Sequence, residues 1–96
     1  MDKRFNPLLP AEQLHARRLL VEELAADPGM AIPAVIRKIR GSLRLTIAEY
    51  AKVCGVSART LQDIEREVSS PTLATAEKLL RPMGMVPGAV AKSRQR

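Results

Sequence analysis

The stretch LTIAEYAKVCGVSARTLQDIE, residues 45–65, contains start and stop signals for two helices. Thr46 and Glu49 have the spacing of a capping box, in which the hydroxyl and the carboxylate each bind a backbone amide at the start of a helix. Gly55 can take the left-handed conformation that turns the chain after this helix. Ser57 is a preferred N-cap residue for a second helix. The stretch therefore predicts two short helices joined by a tight turn.

Four residues in this stretch occupy positions that such a helix pair needs. Ala51 is small enough for the second helix to cross closely, and Gly55 makes the turn. Leu61 and Ile64 have the spacing of one helix face, so we expect them to point into the core. Two helices with this connection have the geometry that fits the major groove of double-stranded DNA. We therefore predict a helix-turn-helix over residues 46–65, with structural roles for these four residues.

Residues 43–84 resemble the Cro and phage-repressor type of helix-turn-helix domain, also called the XRE family. The resemblance rests on the stretch quoted above and on SPTLATAEKLL, residues 70–80, which follows after a loop. The family implies a compact fold of four or five helices and a homodimer that reads two operator half-sites about 34 Å apart. It also implies an ion pair between Arg40 and Glu65, the alternative being that both are solvated charges.

The outward face of the second helix supplies the candidate base-reading residues. If Leu61 and Ile64 face inward, the helix period turns Arg59, Gln62, Asp63 and Arg66 outward. Ala58 lies at the leading end, where a recognition helix enters the groove. The candidate base-reading residues are Ala58, Arg59, Gln62 and Asp63. Arg59 can bind guanine with two hydrogen bonds, Gln62 can bind adenine, and Ala58 can contact a thymine methyl group. Asp63 can accept a hydrogen bond from cytosine, or it can pair with Arg59 or Arg66 in the free protein.

Candidate phosphate contacts lie at the rim of the motif, where hydroxyls, cations and capped helix starts are expected to meet the DNA backbone. They are Arg44, Thr46, Ser57, Thr60 and Arg66. Thr46 and Ser57 are expected to act first as helix caps.

Two residues depart from the family pattern. Ile47 stands where a phosphate-binding glutamine is common, and an exposed isoleucine there would favour a protein neighbour. Glu67 stands where glycine is common. Because a left-handed glutamate costs on the order of 1 kcal/mol, we expect the loop of residues 67–70 to have a different shape.

The composition favours packed helices and a polyanionic partner. Aromatic residues are limited to Phe5 and Tyr50, so the core must consist of Leu, Ile, Val, Ala and Met. The formal net charge is +6, which favours nucleic acid. Half of the 16 cations flank the near-neutral motif in residues 28–44 and 81–96, two ranges that each hold four cations and no acidic residue. We therefore expect DNA binding that weakens with salt.

The chain is predicted to be all-α, a compact five-helix domain like that of lambda repressor, with an extra N-terminal helix and a mobile basic tail. An arm and the extra helix occupy residues 1–27, with Leu14 and Leu20 in its apolar stripe. The helix-turn-helix domain occupies residues 28–82. A loop or short strand and the basic tail occupy residues 83–96.

Nothing in the sequence indicates catalysis, a cofactor or a metal site. His15 is the only histidine and has no cysteine nearby with metal-ligand spacing. Cys54 occupies an apolar position and is expected to lie in the core. A lone cysteine fits a reducing compartment, and no apolar run approaches the ~20 residues that cross a bilayer. We expect a cytoplasmic protein, nucleoid-associated when bound to DNA, with no membrane contact.

Taken together, these features predict a sequence-specific double-stranded-DNA-binding transcriptional regulator, a repressor that occupies its operator as a homodimer. An alternative is the antitoxin of a toxin–antitoxin pair, which binds a toxin protein and represses its own operon; the extra helix motivates this interpretation. A third interpretation, a pure protein-docking module, rests on Ile47 and the near-neutral motif. The extra helix and residues 83–91 are both candidates for a dimer contact.

Overall fold

The computed structural model describes residues 7–91, which form five α-helices and one 3₁₀ turn. The helices are α1 (Pro10–Ala25), α2 (Ile32–Leu43), α3 (Ile47–Cys54), α4 (Ala58–Glu65) and α5 (Leu73–Leu80), and the turn is Arg81–Met83. The described part contains no strand, so residues 84–91 are an irregular segment and the alternative of a short strand is wrong. The all-α prediction is confirmed. The start of the predicted arm and most of the basic tail, with Lys92, Arg94 and Arg96, lie outside the described residues.

Local hydrogen bonds fix where the central helices begin and end. Thr46 Oγ1 accepts from the Glu49 amide at 3.0 Å, and a Glu49 carboxylate oxygen accepts from the Thr46 amide at 2.8 Å, which completes the predicted capping box. Gly55 ends α3 with φ 80°. Ser57 Oγ then accepts from the Thr60 amide at 3.0 Å and starts α4. The helix-turn-helix is therefore specified by bonds between residues close in sequence.

The apolar core lies where α1, α2 and α5 surround the helix pair. Tyr50 is the largest fully buried side chain, and its hydroxyl donates to the Leu79 carbonyl, which joins α3 to α5. Burial, with a smaller contribution from Cys54, raises the pKa of Tyr50 far above its ordinary value. Burial also raises the pKa of the Cys54 thiol. Both groups are therefore neutral packing residues at physiological pH.

The structure corrects two expectations about exposure. Ile47 is half-buried and packs against the core, so it is not an exposed isoleucine and gives no reason for a protein neighbour. Leu14, expected in the buried stripe of the first helix, is 56% exposed, whereas Leu20 and Leu24 are buried. The helix α1 therefore packs through a narrower face than its sequence indicated and presents leucine to solvent.

Candidate nucleic-acid interface

The inner face of the helix pair is fixed by small and apolar contacts. Ala51, Leu61 and Ile64 are all almost completely buried, so α4 crosses α3 with its apolar side against the core. Gly55 turns the chain between the helices in a conformation that glycine adopts without the Cβ penalty. These contacts determine which side of α4 faces outward.

Most of the predicted reading residues lie on that outward side. Ala58, Arg59 and Gln62 are exposed, and with them Thr60 and Arg66 from the predicted phosphate contacts. The side chain of Arg59 is 83% exposed. An exposed helix face with an arginine and a glutamine can donate to and accept from base edges in a major groove.

Asp63 differs from the other reading candidates because it already has a partner. Its Oδ2 accepts from Arg59 Nε at 3.3 Å, and its side chain is 27% exposed. The pair joins positions four residues apart on one helix face, which is the alternative that the sequence left open. Asp63 therefore contacts the side chain that would read guanine.

The predicted phosphate contacts combine capping with exposure. Thr46 and Ser57 use their hydroxyl oxygens as helix caps, and Ser57 Oγ also donates to Thr60 Oγ1 at 2.8 Å. Arg44 is exposed and ends α2 in the left-handed region, with φ 55°. The start of α4 presents backbone amides beside Ser57 and Thr60, and such amides attract anions.

A bidentate ion pair ties α4 to α2. Arg40 Nε lies 2.7 Å from one carboxylate oxygen of Glu65, and Arg40 Nη2 lies 3.0 Å from the other. Arg40 Nη1 also donates to the Leu45 carbonyl at 3.0 Å. The side chain of Glu65 is 7% exposed, so its charge is buried but compensated. The ion pair that the resemblance implied is thus present, and it holds the C-terminal end of α4 against α2.

A second arginine of α2, Arg37, reaches the same helix end, and this contact is not among those predicted from the sequence. The Arg37 guanidinium donates to the Glu65 carbonyl and lies 3.8 Å from the Glu67 carboxylate. Arg37 stands three residues before Arg40, on the same face of α2. This three-residue spacing was the feature of the sequence that could have predicted the contact of Arg37 with the end of α4. Lys38, beside it, points elsewhere and lies 3.7 Å from Glu23 of α1.

The loop after α4 corrects the expectation for Glu67. Glu67 adopts φ 61°, the left-handed conformation that glycine would take. The amides of Val68 and Ser69 then donate to the Asp63 carbonyl at 2.8 and 3.3 Å, which closes the helix end. The loop therefore keeps the glycine-like turn despite the glutamate, and the expected change of shape is wrong.

Other kinds of site find little support in the described part of the chain. His15 is exposed on α1, and no group of three or more His, Cys, Asp or Glu residues between residues 7 and 91 could hold a metal ion. Over the same residues, every helix is too short or too polar to cross a membrane.

Comparison with known proteins adds one match. A family model described as helix-turn-helix matches residues 36–89, more than half of the chain, from within α2 to the irregular segment after the 3₁₀ turn. No curated protein and no solved structure matches the chain. The helix α1 lies outside the matched residues.

Proposed function

Because this chain belongs to the XRE-type helix-turn-helix family of DNA-binding transcription regulators, we propose that it recognises one operator as a homodimer and represses transcription by occupying it. The proposed action needs no cofactor and no catalytic step. It takes place in the cytoplasm, with the protein on the nucleoid when DNA is bound.

The observation that carries this proposal is the outward face of α4. Arg59 and Gln62 are exposed on a helix whose orientation is fixed by the buried Leu61 and Ile64 and by the Arg40–Glu65 pair. Bidentate pairing of arginine with guanine and of glutamine with adenine would give sequence preference. Ala58, at the leading end of α4, would contact a thymine methyl group.

The five candidate phosphate contacts would position the motif on the DNA backbone without reading sequence. Arg44 and Arg66 would contact phosphates through their charge, and Thr46, Ser57 and Thr60 would do so through hydroxyls and nearby amides. Since the motif is near neutral, much of the attraction would come from these cations and from the basic flanks.

The test begins with selection of the preferred site from a random-sequence duplex library, followed by fluorescence-anisotropy titration of that site. Arg59→Ala is expected to weaken binding by about 1–3 kcal/mol and to relax one base position. Arg18→Ala removes the same charge from the exposed surface of α1 and is expected to leave base preference unchanged. A uniform loss across all duplexes in Arg59→Ala would make Arg59 a phosphate contact.

A second candidate function is that of an antitoxin, which would bind a toxin protein as well as its own operator. The supporting observation is α1, which lies outside the family match and exposes Leu14 and Leu19, at 56% and 49%. Co-expression with the product of the neighbouring gene tests it. The antitoxin role would be supported if the chain captures that product and Leu14→Glu abolishes the capture while DNA binding persists. Absence of any complex would count against it.

A pure docking module would bind a protein but show no duplex preference.

A further inference from the structure

Three separate stretches of the sequence carry no charged residue. They are residues 28–36, 68–76 and 82–91, in a chain of which 27% of the residues are charged. In the fold these stretches meet around one groove of about 460 Å³. Its walls come from the start of α2, the start of α5 and the irregular segment after the 3₁₀ turn. Asp27, at the edge, is the one charged residue that lines it within the described part.

The rim of this groove is apolar and exposed. Leu73 and Val86 are each 78% exposed, and Val90 is 53% exposed. Ile32 and Met85 lie deeper and are half-buried. Contiguous exposed apolar surface of this kind marks an interaction site in soluble proteins. We call the groove and its three rim residues the uncharged face.

We propose that the uncharged face is where a second copy of this chain docks. Two copies each carry a formal charge of +6 and therefore repel each other over most of their surfaces. A contact that contains almost no charge avoids placing like charges opposite one another, which is costly in an interface. Depletion of charge and apolar enrichment are also the marks of homodimer interface cores. An acidic partner would instead be expected on one of the basic surfaces.

The segment that follows the groove in sequence has the wrong composition to fill it. Residues 92–96, KSRQR, carry three cations and no apolar side chain. The matching uncharged face of a second copy has the composition that an apolar groove needs.

A stable dimer interface buries about 800 Å² per partner, which is roughly one ninth of the chain's 6912 Å² accessible surface. Leu73, on the rim of the groove, is eight residues after the end of α4. A two-fold dimer through this face would supply one α4 from each copy, one for each operator half-site.

The experiment is sedimentation equilibrium of the full chain without DNA over a wide concentration range. The wild type is expected to show a reversible monomer–dimer equilibrium. Leu73→Glu is expected to weaken dimerisation roughly 100-fold or more. The reason is that each of the two chains would bury a carboxylate without a partner in the interface. Leu19→Glu is the matched control, an exposed leucine of α1 outside the groove, and is expected to dimerise like the wild type.

Several outcomes would overturn the assignment: a monomeric wild type at every concentration, a Leu73→Glu variant that dimerises normally, or dissociation by Leu19→Glu instead. Thermal melting followed by circular dichroism checks the fold of each variant, and Val86→Glu repeats the test if Leu73→Glu unfolds. A wild type that remains monomeric but binds the neighbouring gene product through this face would assign the face to a different protein.

The assignment of the docking face rests on the proposed function, but sedimentation equilibrium tests it without DNA. On the selected operator, Leu73→Glu is expected to keep the base preference of a single half-site and to lose the tighter binding to two half-sites. If the wild type dimerises yet shows no duplex preference, the operator hypothesis fails and the docking face stands. If duplex preference is found without a dimer, the docking face fails and DNA recognition stands.

Discussion

Arg59 leaves α4 with most of its side chain in solvent, and its Nε is the atom that approaches Asp63. The two terminal guanidinium nitrogens are then the donors left for a base, and guanine presents two acceptors side by side in the major groove. An exposed pair four residues apart contributes only about 0.3–0.5 kcal/mol in water. Its value would rise when DNA excludes solvent from the interface. At the scale of the residue, we therefore expect Asp63 to influence DNA recognition through Arg59.

Asp63→Asn separates this positioning role from simple electrostatics. Removal of a carboxylate near phosphates would by itself tighten binding to every duplex. If Asp63 positions Arg59, the variant is expected instead to lose several-fold of its preference for guanine at the contacted base pair, as measured by anisotropy on the selected site and on its guanine-to-adenine variant. In an Arg59→Ala background the same change should only strengthen binding. Uniformly tighter binding in the wild-type background would rule the role out.

Glu67 stores backbone strain that glycine would relieve. Its φ of 61° carries a Cβ penalty, and the contact of Glu67 with Arg37 at 3.8 Å is exposed and weak. Glu67→Gly is therefore expected to raise the free energy of unfolding by up to about 1 kcal/mol. Urea denaturation measures the change. Glu67→Ala keeps the Cβ, loses the carboxylate and is the control. A gain of equal size in both variants would mean that the left-handed backbone is not the cause.

Bonds between near neighbours in sequence could be predicted, and bonds between helices could be predicted only in part. The Thr46 and Ser57 caps follow from residue types three positions apart, and both are present. The Arg37 bond to the Glu65 carbonyl joins positions 28 residues apart and depends on how α2 meets α4. The prediction that Ile47 is exposed is wrong for the same reason. Its burial depends on how α3 packs against the core and not on the sequence of α3 alone.

At the scale of the element, α4 is held at both ends by different chemistry. Its start is fixed by the Ser57 cap, and its end by the bidentate contact of Glu65 with Arg40 of α2. Truncation of one partner in a buried ion pair leaves the other charge uncompensated. The orientation of α4 against the core therefore depends on α2, which precedes the helix-turn-helix in sequence.

Glu65→Gln keeps the shape of the side chain and removes its charge. Since Arg40 is 20% exposed, we expect a loss of about 2–4 kcal/mol in the free energy of unfolding, measured by urea denaturation. Glu23→Gln breaks the exposed contact with Lys38 at 3.7 Å and is expected to cost at most about 0.5 kcal/mol. Similar losses in the two variants would show that the Arg40–Glu65 pair has no special role in holding α4.

The helix α1 shows where periodicity in a sequence is ambiguous. Its leucines and alanines spread over a wide arc, so more than one face could have been the buried one. In the structure Leu20 and Leu24 pack on the core, and Leu14 and Leu19 remain exposed. The position of α2 decides between these faces, and that position is not written in the sequence of α1 itself.

At the scale of the whole molecule, charge is distributed unevenly. Cations are concentrated in residues 28–44 and 81–96, the helix-turn-helix is near neutral, and three stretches without charge meet in one groove. Both the net charge and the uncharged stretches could be read from the sequence, but their meeting in one groove required the fold.

If α4 reads a specific duplex sequence, the wild type must distinguish a selected duplex from a scrambled one. The most direct measurement is fluorescence-anisotropy titration of the wild type against the selected duplex and a scrambled duplex of equal length, at low and at physiological salt. We predict at least ~10³-fold tighter binding to the selected duplex at physiological salt, with both affinities falling as salt rises. Equal affinity for the two duplexes at both salt concentrations would show that α4 does not read sequence.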